Sequence, residues 1–185
     1  DDSQNANPYV AFLEVGGLFA RSVGDTYTLT HAVNISGFEK QTIRLGSGGG
    51  RLQVDALPSA GKTMIVGGAG NDEIDLYAGP ANGNVLDIQA GAGNDTLKVL
   101  GAATLQALVG PVFFQGGEGT DRIWLSASDS TAGTNLFLEE PTIAPFPYDP
   151  TAYGHIKGLG MTNGIFYQAE DLDLATAQRS EQRFL

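Results

Sequence analysis

Three aspartates recur in one local setting. Gly67-Gly68-Ala69-Gly70-Asn71-Asp72, Ala90-Gly91-Ala92-Gly93-Asn94-Asp95 and Gly116-Gly117-Glu118-Gly119-Thr120-Asp121 each end a glycine-dense turn on a carboxylate. An apolar residue follows two positions later: Ile74, Leu97 and Ile123. Glycine lets the backbone take φ > 0 and turn its carbonyls inward. The aspartate adds an anionic oxygen. A loop of carbonyls and carboxylate is a hard-oxygen cage, the donor set that calcium prefers. A bare turn would explain Asn-Asp after glycine, but it does not demand the same aspartate position three times.

The elements around these loops follow the same beat. After each loop comes a short run with apolar outer positions: Ile74-Asp75-Leu76, Leu97-Lys98-Val99 and Ile123-Trp124-Leu125. Before each loop lies Met64-Ile65-Val66, Val85-Leu86-Asp87-Ile88 or Val112-Phe113-Phe114. Such period-2 runs read as strands with one face buried. Trp124 breaks the alternation on the outer face. A degenerate copy, Leu45-Gly46-Ser47-Gly48-Gly49-Gly50-Arg51-Leu52, sits between Thr42-Ile43-Arg44-Leu45 and Leu52-Gln53-Val54, with Gly50 in the aspartate position. The coil is kept there and the ligand is missing. No coil can bury its apolar face alone, so stacked neighbours must supply a continuous core.

The phrase resembles the glycine-rich nonapeptide of the haemolysin-type, or RTX, calcium-binding repeats. The resemblance implies an all-β parallel β-solenoid with a calcium-binding glycine edge, and Ca²⁺ as cofactor. It also implies that each ion lies between adjacent loops. Two sites follow, one between Asp72 and Asp95 and one between Asp95 and Asp121. Backbone carbonyls would come from the first and third loop positions: Gly67 and Ala69, Ala90 and Ala92, Gly116 and Glu118. The spacing departs from the family. Asp72 and Asp95 are 23 residues apart and Asp95 and Asp121 are 26 apart, not nine. One loop per long coil implies a single calcium edge and a second, irregular edge without metal.

Other features narrow the function. The formal net charge of −11, with ten Lys and Arg in 185 residues, argues against nucleic acid as a partner. There is no cysteine, so disulfides and thiolate metal sites are excluded. The longest apolar stretch, about Ala107 to Phe114, is far short of a membrane span. No signal peptide is visible and the chain does not begin with Met, which reads as a mature form or an excised fragment. No Gly-x-Ser-x-Gly elbow or His-Glu-x-x-His motif is present, and His31 and His155 stand far apart. Glu73, Asp75 and Asp87 read as solvated faces rather than ligands. Pro145, Phe146, Tyr148 and Tyr153 read as a packing or capping loop, and Thr26-Tyr27-Thr28-Leu29-Thr30 as an ordinary strand.

The two ends of the chain echo each other. Val10-Ala11-Phe12-Leu13-Glu14, after Asp1-Asp2-Ser3, parallels Asn135-Leu136-Phe137-Leu138-Glu139, after Ser128-Asp129-Ser130. Ile35-Ser36-Gly37-Phe38-Glu39 parallels Phe166-Tyr167-Gln168-Ala169-Glu170. The second copy starts about 130 residues after the first. It resembles the segments between calcium-loop blocks of very long secreted bacterial repeat proteins, in which a phrase like Gly158-Leu159-Gly160-Met161 also occurs. The reading divides the chain into an N-terminal cap or partial coil (1–32), a solenoid core (33–138), and an inserted loop with a C-terminal coil opening a second repeat (139–185).

The function expected is a calcium-stabilised extracellular or cell-surface structural module. It would build a rod, surface layer or filament through tandem neighbours or self-association. The alternatives are a carbohydrate- or ice-binding adhesin, with polysaccharide as partner, and a β-helix polysaccharide lyase. The lyase would draw its base from Lys62, Lys98, Arg44 or Arg122.

Overall fold

Each alternating run forms a strand, and the runs before and after each glycine loop enter different sheets. In the computed structural model the described residues are 9–14, 17–22, 31–33, 39–59, 61–128, 135–139 and 153–176. The strands before the loops are β4 (Lys40–Arg44), β6 (Lys62–Val66), β8 (Val85–Ala92) and β10 (Val112–Glu118). Those after the loops are β5 (Gly50–Val54), β7 (Glu73–Leu76), β9 (Thr96–Leu100) and β11 (Arg122–Ala127). Both sets pair in parallel. The chain therefore advances as a parallel β-solenoid, one strand of each sheet per coil.

Near the start, β1 (Tyr9–Glu14) lies parallel to β5, and β2 (Gly17–Ser22) and β3 (His31–Val33) extend that sheet antiparallel. Near the end, β14 (Met161–Gln168) lies parallel to β10. Here β13 (Gly154–Gly158) and β12 (Leu136–Glu139) extend the other sheet antiparallel. β15 (Asp171–Thr176) lies parallel to β11. The sheet orders are β15-β11-β9-β7-β5-β1-β2-β3 and β12-β13-β14-β10-β8-β6-β4.

Register puts like positions in files. Ala11, Leu52, Ile74, Leu97, Ile123 and Leu172 form one inward file. Ile43, Ile65 and Ile88 lie in a file of the opposite sheet. These side chains meet in one continuous core, with Leu172 at its partly buried margin. One helical turn, α1 (Ala102–Ala107), lies in the irregular connection between β9 and β10 and places Leu105 in the core. It accounts for the longer third coil.

Two expectations need correction. Asp75 and Asp87 are not solvated. Both carboxylates are fully buried, and each faces a cation: Arg51 Nε donates to Asp75 Oδ2 at 2.6 Å, and Lys62 Nζ lies 2.7 Å from Asp87 Oδ2. A buried charge persists when it is paired, and here the partner reaches over from the next strand. Asp1–Ser3, Asp129–Ser130, Thr26–Thr30, Pro145, Phe146 and Tyr148 lie outside the described residues, as does the His31 side chain.

Candidate metal edge

The glycine turns all cross from one sheet to the other on the same edge, so their aspartates fall into a file. Each backbone N–H in the file donates to the carboxylate one coil further on. Asp72 N donates to Asp95 Oδ1 at 2.7 Å, Asp95 N to Asp121 Oδ1 at 2.8 Å, and Asp121 N to Glu170 Oε2 at 2.7 Å. At the other end, Gly50 N donates to the Asp72 carboxylate. The backbone carbonyls continue the pattern. Asp72 O accepts from Thr96 N, Asp95 O from Arg122 N, and Asp121 O from Glu170 N and Asp171 N. A second file of amides runs beside it, with Asn71 Oδ1 accepting from Asn94 N and Asn94 Oδ1 from Thr120 N.

The loops stack without room for side chains. A Cβ on Gly67 would meet the Ala90 carbonyl and stand 2.7 Å from Asp72 Oδ2. A Cβ on Gly116 would enter the Asp121 carboxylate. The first loop position thus brings Asp72, Gly67 and the Ala90 carbonyl together, and Gly116 with Asp121. Ala69 and Glu118 lie at the exposed rim and Ala92 is half-buried there, with Gly93 N donating to Glu118 O at 2.8 Å.

The electrostatics of the file are unbalanced. Asp72, Asp95 and Asp121 are buried, and none has an ion-pair partner among the described residues. One oxygen of each, Asp72 Oδ1, Asp95 Oδ2 and Asp121 Oδ2, is buried without a hydrogen bond. Burial raises all three carboxyl pKa values, against the backbone N–H donors that lower them. Asp95 rises to about 6: desolvation is the main cause, and the charges of Asp72 and Asp121 on either side add to it. An orphaned buried polar atom asks for a missing partner. Three in one file, each on a carboxylate at the foot of a glycine loop, fit a hard divalent cation. Among the described residues no three His, Cys, Asp or Glu converge into a compact cluster. The donor set is a ladder of single carboxylates interleaved with backbone oxygens.

The family comparison agrees with this geometry. Residues 59–79, 87–98 and 100–131 match the RTX calcium-binding nonapeptide repeat, in four copies. Residues 59–131 carry RTX calcium-binding repeats. RTX repeats bind Ca²⁺, the cofactor of this segment, and they occur in secreted bacterial proteins. Comparison with curated proteins and with solved structures gives no match.

Glu170 is the residue that sequence reading missed. It takes the fourth position of the file although it lies 49 residues beyond Asp121. The signal was present: Glu170-Asp171-Leu172 repeats the order carboxylate, any residue, apolar residue seen at Asp72-Glu73-Ile74. The excursion through β12 and β13 hides it.

The other singled-out residues lie elsewhere. Tyr153 is buried, edge-on to Phe113 at 6.1 Å, and its hydroxyl meets Gln115. His155 stacks on Phe166 at 4.0 Å, with Nε2 2.8 Å from Asn163 O, and burial lowers its pKa. Lys62 pairs with Asp87 and Lys98 with Glu73. Arg122 lies 3.5 Å from Asp171 and 3.4 Å from Asp173. Among the described residues, no helix is long and apolar enough to cross a membrane.

Proposed function

We propose that this chain is a calcium-stabilised structural module of an extracellular or cell-surface protein, and that it builds a rod by stacking with further copies of itself. The observation that carries the reading is the file of three buried carboxylates, each with one unpartnered oxygen. Asp72, Asp95 and Asp121 would hold the metal, with carbonyl oxygen from Gly67, Ala69, Ala90, Ala92, Gly116 and Glu118. Bound calcium supplies positive charge between carboxylates that otherwise repel one another. Glycine-rich loops lose more backbone entropy on ordering than other segments, so the ion links binding to folding. At low calcium inside a cell the coils stay loose. In external calcium they set into a rod.

In this reading the module is not an enzyme, and Lys62, Lys98 and Arg122 are engaged in ion pairs rather than poised as bases. Residues 1–32 act as a cap or partial coil, 33–138 form the calcium rod, and 139–185 open the next repeat.

A calcium titration of EGTA-treated protein, followed together by circular dichroism and light scattering, tests the reading. β-Structure and larger particles should both grow as calcium rises. A chain that is fully folded and monomeric with and without calcium contradicts it.

A further inference from the structure

The two ends of the fold are one motif in two settings. β1, β2 and β3 form an antiparallel meander, and β4 follows in the opposite sheet. β12, β13 and β14 form an antiparallel meander, and β15 follows in the opposite sheet. The sequences agree, with Ala11-Phe12-Leu13-Glu14 matching Leu136-Phe137-Leu138-Glu139 and Glu39 before β4 matching Glu170 before β15. The connections differ in length.

Each copy lacks a neighbour that the other has. β1 lies against β5 and β4 against β6. Among the described residues, β12 has only β13 and β15 has only β11. Conversely, β14 lies on β10, while among the described residues β3 has only β2.

Burial records the difference. Leu13 is 1% exposed beside β5, whereas its counterpart Leu138 is 58% exposed. Ile43 is 6% exposed beside β6, whereas Leu174 at the matching place in β15 is 42% exposed. Leu174 is no stray surface residue. It continues the inward file of Leu13, Val54, Leu76, Val99 and Leu125. Of the exposed large hydrophobics among the described residues, Tyr77, Phe137, Leu138 and Leu174, all but Tyr77 lie on these two edge strands. Open strand edges bearing apolar side chains seek a strand to pair with.

We infer that the edges of β12 and β15 are the docking face for a following unit joined in tandem, in which β12–β15 take the place of that unit's own β1–β4: its β5, which here lies against β1, pairs in parallel with β12, and its β6, which here lies against β4, pairs with β15. The inference rests on the structural-module reading and specifies its junction. It has a geometric consequence. β12 and β5 belong to opposite sheets, and so do β15 and β6, so the two sheets exchange roles at every junction. The edges exchange with them. Glu170 stands on the glycine edge, accepting from Asp121 N. Its counterpart Glu39 stands on the irregular edge, where its carbonyl accepts from Lys62 N at 2.9 Å. The glycine edge of one unit therefore runs into the irregular edge of the next, and the aspartate files alternate between the two sides of the rod.

A tandem protein tests this: residues 1–169 followed directly by residues 39–185, so that Glu39 replaces Glu170 at the junction. The chain has no native cysteine, so Leu138→Cys can be placed alone in either unit. In calcium, the cysteine at the junction should react with a maleimide at least ~100-fold more slowly than the one in the terminal unit, since only the junction strand is covered. Hydrogen exchange on the unsubstituted tandem protein should protect β12 amides in the first unit and not in the second. Equal rates at both positions, with unprotected β12 amides, overturn the junction. Thermal unfolding of the same samples with and without calcium separates the two claims. Calcium-dependent stability with equal labelling removes the junction alone; stability independent of calcium removes the reading beneath it.

Discussion

Asp95 is the centre of the site because it is the carboxylate shared by the two expected calcium positions, one toward Asp72 and one toward Asp121. It accepts from Asp72 N, donates its own N–H to Asp121, and keeps one oxygen free of protein partners. Asp95→Asn should weaken calcium binding more than Asp72→Asn or Asp121→Asn, by roughly tenfold or more, because a lost charged ligand costs about 1.5–3 kcal/mol. Calorimetric titration of the three variants checks the order; equal effects would contradict a shared central ligand. The pH dependence has a definite sign. In calcium-free protein the Asp95 carboxyl is raised from 3.8 to about 6, so the folded chain holds its proton more tightly than the unfolded chain. Calcium-free stability should rise as pH falls through about 6 toward 4 and decline as pH rises through the same window. Calcium needs the ionised carboxylate, so calcium-loaded stability should move the opposite way. Urea unfolding across that window, with and without calcium, reads both slopes.

At the scale of the element, the loops are fixed by glycine for two separable reasons. Gly119 has φ 135° and its missing Cβ would overlap the Gly93 carbonyl of the preceding coil. Gly83, on the irregular edge, has φ 80° and open space around it. Gly83→Ala should cost only about 1 kcal/mol, the strain of the left-handed region. Gly119→Ala should cost about 2–3 kcal/mol more in calcium, because the stack must open. Denaturant midpoints of the two variants test this, and equal losses would show that loop stacking does not hold the coils. The strands from Thr42 to Leu125 were legible because period-2 alternation is a local signal. Asp75 and Asp87 were misread because their partners Arg51 and Lys62 lie one coil away. In a parallel sheet a strand-centre carboxylate can be buried by a cross-strand cation that local sequence does not reveal.

At the scale of the whole molecule, a single core runs through every coil, so loosening one edge weakens its neighbours in turn. Sequence conveyed the glycine edge, the irregular edge opposite it and the coil lengths, since each coil repeats them. It did not convey that Glu170 closes the file, nor that the antiparallel meanders extend opposite sheets at the two ends. Both depend on which distant strand is adjacent, and the long excursion between β11 and β14 removes the regular spacing that would have shown it. The linkage between calcium and folding belongs to this scale too. Leu97→Ala, deep in the inward file, should cost about 2–5 kcal/mol and raise the calcium concentration at the folding midpoint, although Leu97 itself binds nothing. Calcium-dependent circular dichroism checks that shift, and an unchanged midpoint would uncouple core from edge.

The central claim is that calcium at the aspartate file locks the coils. Hydrogen exchange at the amides of Asp72, Asp95 and Asp121, with calcium and after chelation, tests it most directly. These N–H groups donate to the next carboxylate in the file. Protection should be strong in calcium and collapse on chelation, with the loss spreading from the glycine edge into β7, β9 and β11. Unchanged protection after chelation would mean that the glycine edge holds without metal, and the account would fail.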